Sequence, residues 1–135
     1  MLEFVLERRA FSDANLSHAN LTPADLVGAD LTRANLSHAQ LISANLSHAQ
    51  LFKADLSGAS LDTATLTGAD VSEANLSDAK LANVDLSGAY MEYAILQGAN
   101  LRDSNLSGAK LVKADLTGAN MQARPYRMRT LATRN

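Results

Sequence analysis

Residues 14–38 read ANLSHANLTPADLVGADLTRANLSH, and a single five-residue unit runs through them: alanine, then asparagine or aspartate, then leucine, then two more variable residues. Outward from this stretch the leucine register extends without a break from Phe11 to Met121. Of its 23 positions 19 are Leu, and the exceptions, Phe11, Val71, Met91 and Met121, are all apolar. The alanine column from Ala14 to Ala119 has 22 positions, of which 20 are Ala, interrupted only by Val84 and Ser104. A period of five suits neither a helix nor a flat strand. Strict repetition of so short a unit marks a solenoid, in which each turn of chain packs only on its neighbours.

Bulk composition narrows the rest. With 135 residues the chain makes one domain, and its 47% apolar content sits almost wholly in the two fixed columns. Only three Phe, three Tyr and no Trp are present to build a broad interior. The predicted core is therefore long and narrow. There is no cysteine, which excludes disulfides, thiolate metal sites and a Cys nucleophile. The N-terminal MLEFVLERRAF lacks the long apolar run of a signal peptide, and no stretch reaches membrane-spanning length, so a cytoplasmic protein without membrane contact is expected.

In an extended segment alternate side chains share a face, so the alanine and the leucine of each unit point the same way and the residue between them points out. A turn after each leucine lets both apolar columns face a common axis. The second turn slot carries a further period of ten. Residues 18, 28, 38 and onward to 118 hold all seven glycines and all three histidines, whereas the interleaved column, from Asp13 to Lys113, has no glycine. A type II turn needs positive φ at its third residue, which glycine supplies freely. This alternation predicts two corner shapes, hence an even number of walls, and two walls would leave no room for Leu inside. Four walls give coils of 20 residues, and stacking at the strand spacing of ~4.8 Å makes a square rod roughly 28 Å long.

The A(D/N)LXX pattern met almost throughout residues 11–121 resembles the pentapeptide-repeat family, many of whose members are cyanobacterial. The resemblance implies an all-β, right-handed quadrilateral β-helix. By register about five to six coils are expected, with residues 1–10, where Leu6 keeps the spacing and Phe4 takes an alanine position, as an N-terminal cap and 122–135, where Arg124 and Arg129 stand in alanine positions, as a basic tail or cap. With no constellation of convergent polar groups for catalysis, the reading is a non-catalytic scaffold whose partner is a protein. Some members of the family, the quinolone-resistance proteins, imitate a DNA duplex to protect gyrase, and that is the alternative reading. Those proteins are strongly acidic, usually have Phe at many centres and dimerise through the C-terminal end. Here residues 11–121 hold 12 acids against 6 bases, Leu dominates, and the tail carries Arg124, Arg127, Arg129 and Arg134 with no acid. Imitating two phosphate charges per base-pair rise would need far more acid.

Centres 20 residues apart share one wall. Two walls, centred on Leu16 and Leu26 and their successors, repeat plain scaffold residues, whose Asn, Asp, Ser and Thr are expected to bond corner amides. The wall centred on Phe11, Leu31, Leu51, Val71, Met91 and Leu111 is varied. Its outward Arg33, Phe52, Lys53, Glu73, Tyr90, Glu92, Tyr93, Val112 and Lys113 make it the candidate protein-interaction face, apolar groups ringed by charge, with Lys53 beside Glu73 as a cross-coil pair. The opposite wall, with Gln40, Ile42, Asp62, Lys80, Arg102 and Asp103, signals less.

No cofactor, metal or catalytic site is expected. His18 and His38 stack one coil apart, but His48 lies on the opposite wall and a third ligand is missing. The serines recur in a scaffold slot outside any GxSxG, and the glycines are ten residues apart rather than clustered as in a phosphate loop. The tail arginines are candidate contacts for a homodimer through an end of the rod. Nucleic-acid binding by so short a basic tail is disfavoured.

Overall fold

The computed structural model describes residues 10–123. Parallel bridges pair each residue before a centre with the residue 20 further on, from Ala10 with Asp30 to Asn100 with Asn120. Four walls per coil follow directly from this register. The walls are named here by their first centres: the Phe11, Leu16, Leu21 and Leu26 faces.

One unit shows how the backbone is satisfied. The Leu16 amide donates to the Asn35 carbonyl at 2.7 Å and the His18 amide to the Ser37 carbonyl at 2.9 Å, while the Asn35 amide donates back to the Ala14 carbonyl at 2.8 Å. The turn is closed by the Ala19 amide on the Leu16 carbonyl at 3.1 Å. That leaves the amide of the first turn residue. It is met by the polar residue two before it: the Ser37 amide donates to Asn35 Oδ1 at 3.0 Å, and the Ser37 hydroxyl donates to the same oxygen at 2.7 Å. Asp55 with Ser57, Asn75 with Ser77 and Asp115 with Thr117 repeat the arrangement. The sequence preference for Asn or Asp, then Leu, then Ser or Thr is thus a hydrogen-bonding requirement of the corner.

Inside, the leucines from Leu26 to Leu106 and the alanines from Ala29 to Ala109 form one continuous buried column. Alanine suits the crowded position beside each corner; Val84 is also buried there, with the turn bond from its amide to the Leu81 carbonyl at 3.4 Å. Ser104 takes an alanine slot without leaving a buried polar group unpaired, because its hydroxyl donates to the Leu101 carbonyl at 2.7 Å.

The corners differ from the expectation. Positive φ occurs at both columns of the second turn slot: glycines at 66–71° and also fourteen other residues, among them Arg33, Thr63, Glu73 and Tyr93, at 57–62°. Pro23 is the exception in the slot, since its ring fixes φ at a negative value, and the bond before it is cis. All the other corners carry positive φ at this slot, so the ten-residue period does not separate left-handed corners from ordinary ones. The bonds on either side of the corner force left-handed backbone on whatever residue stands there. Some glycines meet a demand for space instead. A Cβ on Gly58 would lie 2.6 Å from the His38 ring, and one on Gly98 would lie close against Asp78 Oδ1, because those side chains lean over the next coil.

Two outcomes are expected from chemical denaturation. Leu66→Ala, which empties a fully buried site, lowers stability by about 3 kcal/mol. Glu73→Gly, which relieves a left-handed residue that makes no side-chain bond, raises it by about 1 kcal/mol; an unchanged or lower midpoint would show that the corner carries no strain.

Candidate protein-interaction face

Along the Phe11 face the side chains fall into two groups. Near the N-terminal end they are engaged with one another. Arg33 clasps Asp13 of the preceding coil, Nε to Oδ1 at 2.9 Å and a terminal nitrogen to Oδ2 at 3.1 Å. The hydrogen bond from Arg33 holds the Asp13 carboxyl below its ordinary value, and the same bond raises Arg33. Phe52 is half-buried, with the Lys53 ammonium 5.5 Å from its ring centroid. No ion pair joins Lys53 to Glu73 among the described residues, so the expected cross-coil pair is not formed.

The last two coils are different. Tyr90 is 45% exposed, Tyr93 56% and Val112 37%, and the Lys110 ammonium sits 4.8 Å over the Tyr90 ring. Tyr90 pairs with Lys110 across the coils, and the Tyr93 amide donates to the Val112 carbonyl at 3.0 Å, so the four residues are immediate neighbours. Ile95, just round the corner on the Leu16 face, is 38% exposed and extends the patch. Of the five exposed large hydrophobic residues in the described chain, four lie here and only Ile42 lies elsewhere. Lys113 is exposed at the rim. The candidate face thus narrows to its C-terminal half: Tyr90, Tyr93, Val112 and Lys113 come together there, while Arg33, Phe52, Lys53 and Glu73 stand apart from it. Ile95 and Lys110 were missed, although Ile95 and Tyr90 are the only apolar or aromatic residues in the polar slot between Asn15 and Asn120.

On the Leu21 face Asp62 Oδ1 accepts the Ala82 amide of the next coil at 2.9 Å, and Asp103 is buried, with Arg102 Nε 3.7 Å from it. His18 and His38 stack with ring centroids 5.2 Å apart and planes inclined by 14°. In that arrangement the nitrogen lone pairs, which lie in the ring planes, run side by side rather than converge on a shared ion. No group of three or more metal-ligating side chains forms among the described residues, and no helix there is long and apolar enough to cross a membrane. Arg124, Arg127 and Arg129, the terminal caps and the homodimer contact through an end lie outside the described residues.

A square rod with uniform scaffold corners and one face bearing exposed aromatic and aliphatic groups is a right-handed quadrilateral β-helix repeat protein. The chain belongs to the pentapeptide-repeat family, whose description, Pentapeptide repeats, matches in eight copies over residues 11–47, 44–83 and 85–122. Among solved structures it is similar to a pentapeptide repeat protein of the Arabidopsis thaliana thylakoid lumen, at 32% identity and a TM-score of 0.57 over 70% of this chain and 63% of that one. It therefore spans less than two thirds of that protein's length. It is also similar to Rfr23 of the cyanobacterium Cyanothece 51142, at 30% identity and a TM-score of 0.55 over 91% of this chain and 93% of that one. QnrB1, a plasmid-mediated fluoroquinolone resistance protein, gives a TM-score of 0.67 over 93% of this chain and 80% of that one, but at 18% identity the likeness is one of fold alone. No curated protein matches.

The corner carboxylates make stability pH-dependent. Burial pushes Asp85 up, but the Ser87 hydroxyl and amide and the Thr67 hydroxyl together hold it below its ordinary 3.8. Asp115 is lowered by the Thr117 hydroxyl, the Gln97 amide group and the Thr117 backbone. Folded values below the unfolded one mean that this stabilisation is complete above pH 3.8 and is lost as pH falls through the lower folded values. Asparagine caps corners equally well at Asn35 and Asn75, so Asp85→Asn with Asp115→Asn should leave the melting temperature at neutral pH nearly unchanged. The same pair should flatten its fall below about pH 4. Melting curves across that range check it.

Proposed function

We propose that this chain is a non-catalytic pentapeptide-repeat scaffold that binds a protein partner through the C-terminal half of its Phe11 face. The observation that carries the reading is the gathering of Tyr90, Tyr93, Ile95 and Val112 in one exposed patch. Burying such groups against a partner is favourable, and Lys110, Lys113 and Glu92 at the edge would fix orientation. Aromatic anchors of this kind carry most of the binding energy in protein interfaces. Catalysis has no comparable support, since the serines and aspartates of the corners are committed to the Asx-type bonds described above. Duplex imitation is placed second: the patch is flanked by lysines, and residues 11–121 have a net charge of only 6 acids in excess.

The test is affinity capture from the source cells with the wild-type chain and with Tyr93→Ser plus Val112→Ser. Both residues are exposed, so the double substitution should change stability by only about 0.5 kcal/mol. Loss of a partner held by the wild type is the expected result. Retention of every partner would remove the proposal.

A further inference from the structure

We infer that the patch takes carboxylates of an acidic protein segment onto two backbone amides, those of Glu92 and Val112. The inference rests on the protein-binding reading and specifies the partner's chemistry.

The fold itself shows what these amides bind. In the ordinary unit the first turn amide donates to the side-chain oxygen of the Asn or Asp two residues earlier, at 3.0 Å for Ser37 and 2.9 Å for Ser72. At coils five and six the capping residue is Tyr90 or Lys110, neither of which offers an acceptor to the amide. Among the described residues no other group accepts from Glu92 or Val112. The Glu92 carboxylate is turned to the preceding coil, where Oε1 accepts the Ser72 hydroxyl at 3.0 Å.

The Leu21 face shows independently what such an amide does when it lacks its own cap. Lys80 also fails to supply an acceptor, and there Asp62, from a different unit, places its carboxylate on the Ala82 amide at 2.9 Å. A carboxylate from outside the unit therefore fits this corner without disturbing it. On the Phe11 face nothing in the described chain fills the equivalent role, and the two amides stand one coil apart, at a spacing of ~4.8 Å. Lys110 and Lys113 supply positive charge beside them, so that a bound carboxylate makes charge-assisted bonds. Tyr90, Tyr93 and Val112 would hold the apolar side chains of the same segment.

The experiment uses the full chain, labelled with nitrogen-15 and titrated with a peptide of alternating Glu and Leu, with the Gln–Leu peptide and a single-stranded oligonucleotide as comparisons. The Glu92 and Val112 amide resonances should shift with the Glu peptide and stay in place with the Gln peptide. Two variants separate amide from charge. Lys110→Asn and Lys110→Gln both remove the ammonium, but asparagine caps the Val112 amide from within, whereas glutamine, as at Gln50, does not. Lys110→Asn should raise the melting temperature and weaken the Glu peptide at least fivefold more than Lys110→Gln. Equal affinities for the two variants, or stationary amides, overturn the inference. Tighter binding of the oligonucleotide than of the Glu peptide overturns it in favour of a phosphate ligand. Should the variants bind equally while Tyr93→Ser with Val112→Ser still loses the cellular partner, the apolar docking stands and only the amide contact falls.

Discussion

The constraint on which this structure depends is the accounting of five backbone amides per unit. Two go to the next coil, one to the previous coil and one closes the turn. The fifth, at the first turn residue, faces outward and has no backbone partner, and a side chain serves it at most corners but not, among the described residues, at Ile42, Phe52, Thr67, Glu92, Gln97 or Val112. Asn or Asp at the polar slot does so over much of the rod, often with the following Ser or Thr hydroxyl on the same oxygen. Leucine and alanine fill the interior from two fixed positions of each unit. Where Asn or Asp stands two residues before the amide it meets, the corner bond fits the five-residue unit and supports it.

Much of this was legible in the sequence, and what was not has a physical cause. Periodicity located every buried Leu and Ala column, since burial in a solenoid depends only on position within the unit. The corners were misread. Glycine confined to alternate corners suggested two turn shapes, yet Arg33, Thr63 and Tyr93 adopt the same left-handed backbone as Gly58. Left-handed backbone costs a non-glycine residue about 1–2 kcal/mol, and a corner locked by bonds on both sides can impose it. Propensity is a weak guide where closure is so strongly determined. The number of walls came out right, but pairing at a separation of 20 residues establishes it, not the glycine pattern.

The candidate face was legible as a wall but not as a patch. Stacking by 20 brought Tyr90, Tyr93, Val112 and Lys113 onto one wall, as the structure shows. Which of the wall's side chains remain available is a matter of side-chain partners. Arg33 is taken by Asp13, Phe52 is partly covered, and Lys53 lies over its ring rather than beside Glu73. Ile95 was assigned to a scaffold wall because it belongs to another centre, although it lies two residues from Tyr93 across a corner. Corners join faces, so a surface patch on a square rod need not respect its walls.

Scaffold and surface compete for the same slot. A polar slot occupied by Asn or Asp satisfies a corner and presents little to a partner; one occupied by Tyr, Ile or Lys presents a great deal and leaves a corner amide to find another acceptor. Six of the slots that depart from Asn or Asp, at Gln40, Gln50, Ser60, Lys80, Tyr90 and Lys110, lie on the Phe11 and Leu21 faces, whereas Thr65 and Ile95 are the departures on the other two. The concentration of departures on two opposite walls leaves the other two to hold the rod together, and the Ala82 amide shows that the loss of a cap is answered from outside the unit when a carboxylate is near. On the Phe11 face at coils five and six the described chain brings no such carboxylate, so the Glu92 and Val112 amides face outward among exposed apolar groups, and the slot that caps a corner elsewhere is given over to the surface.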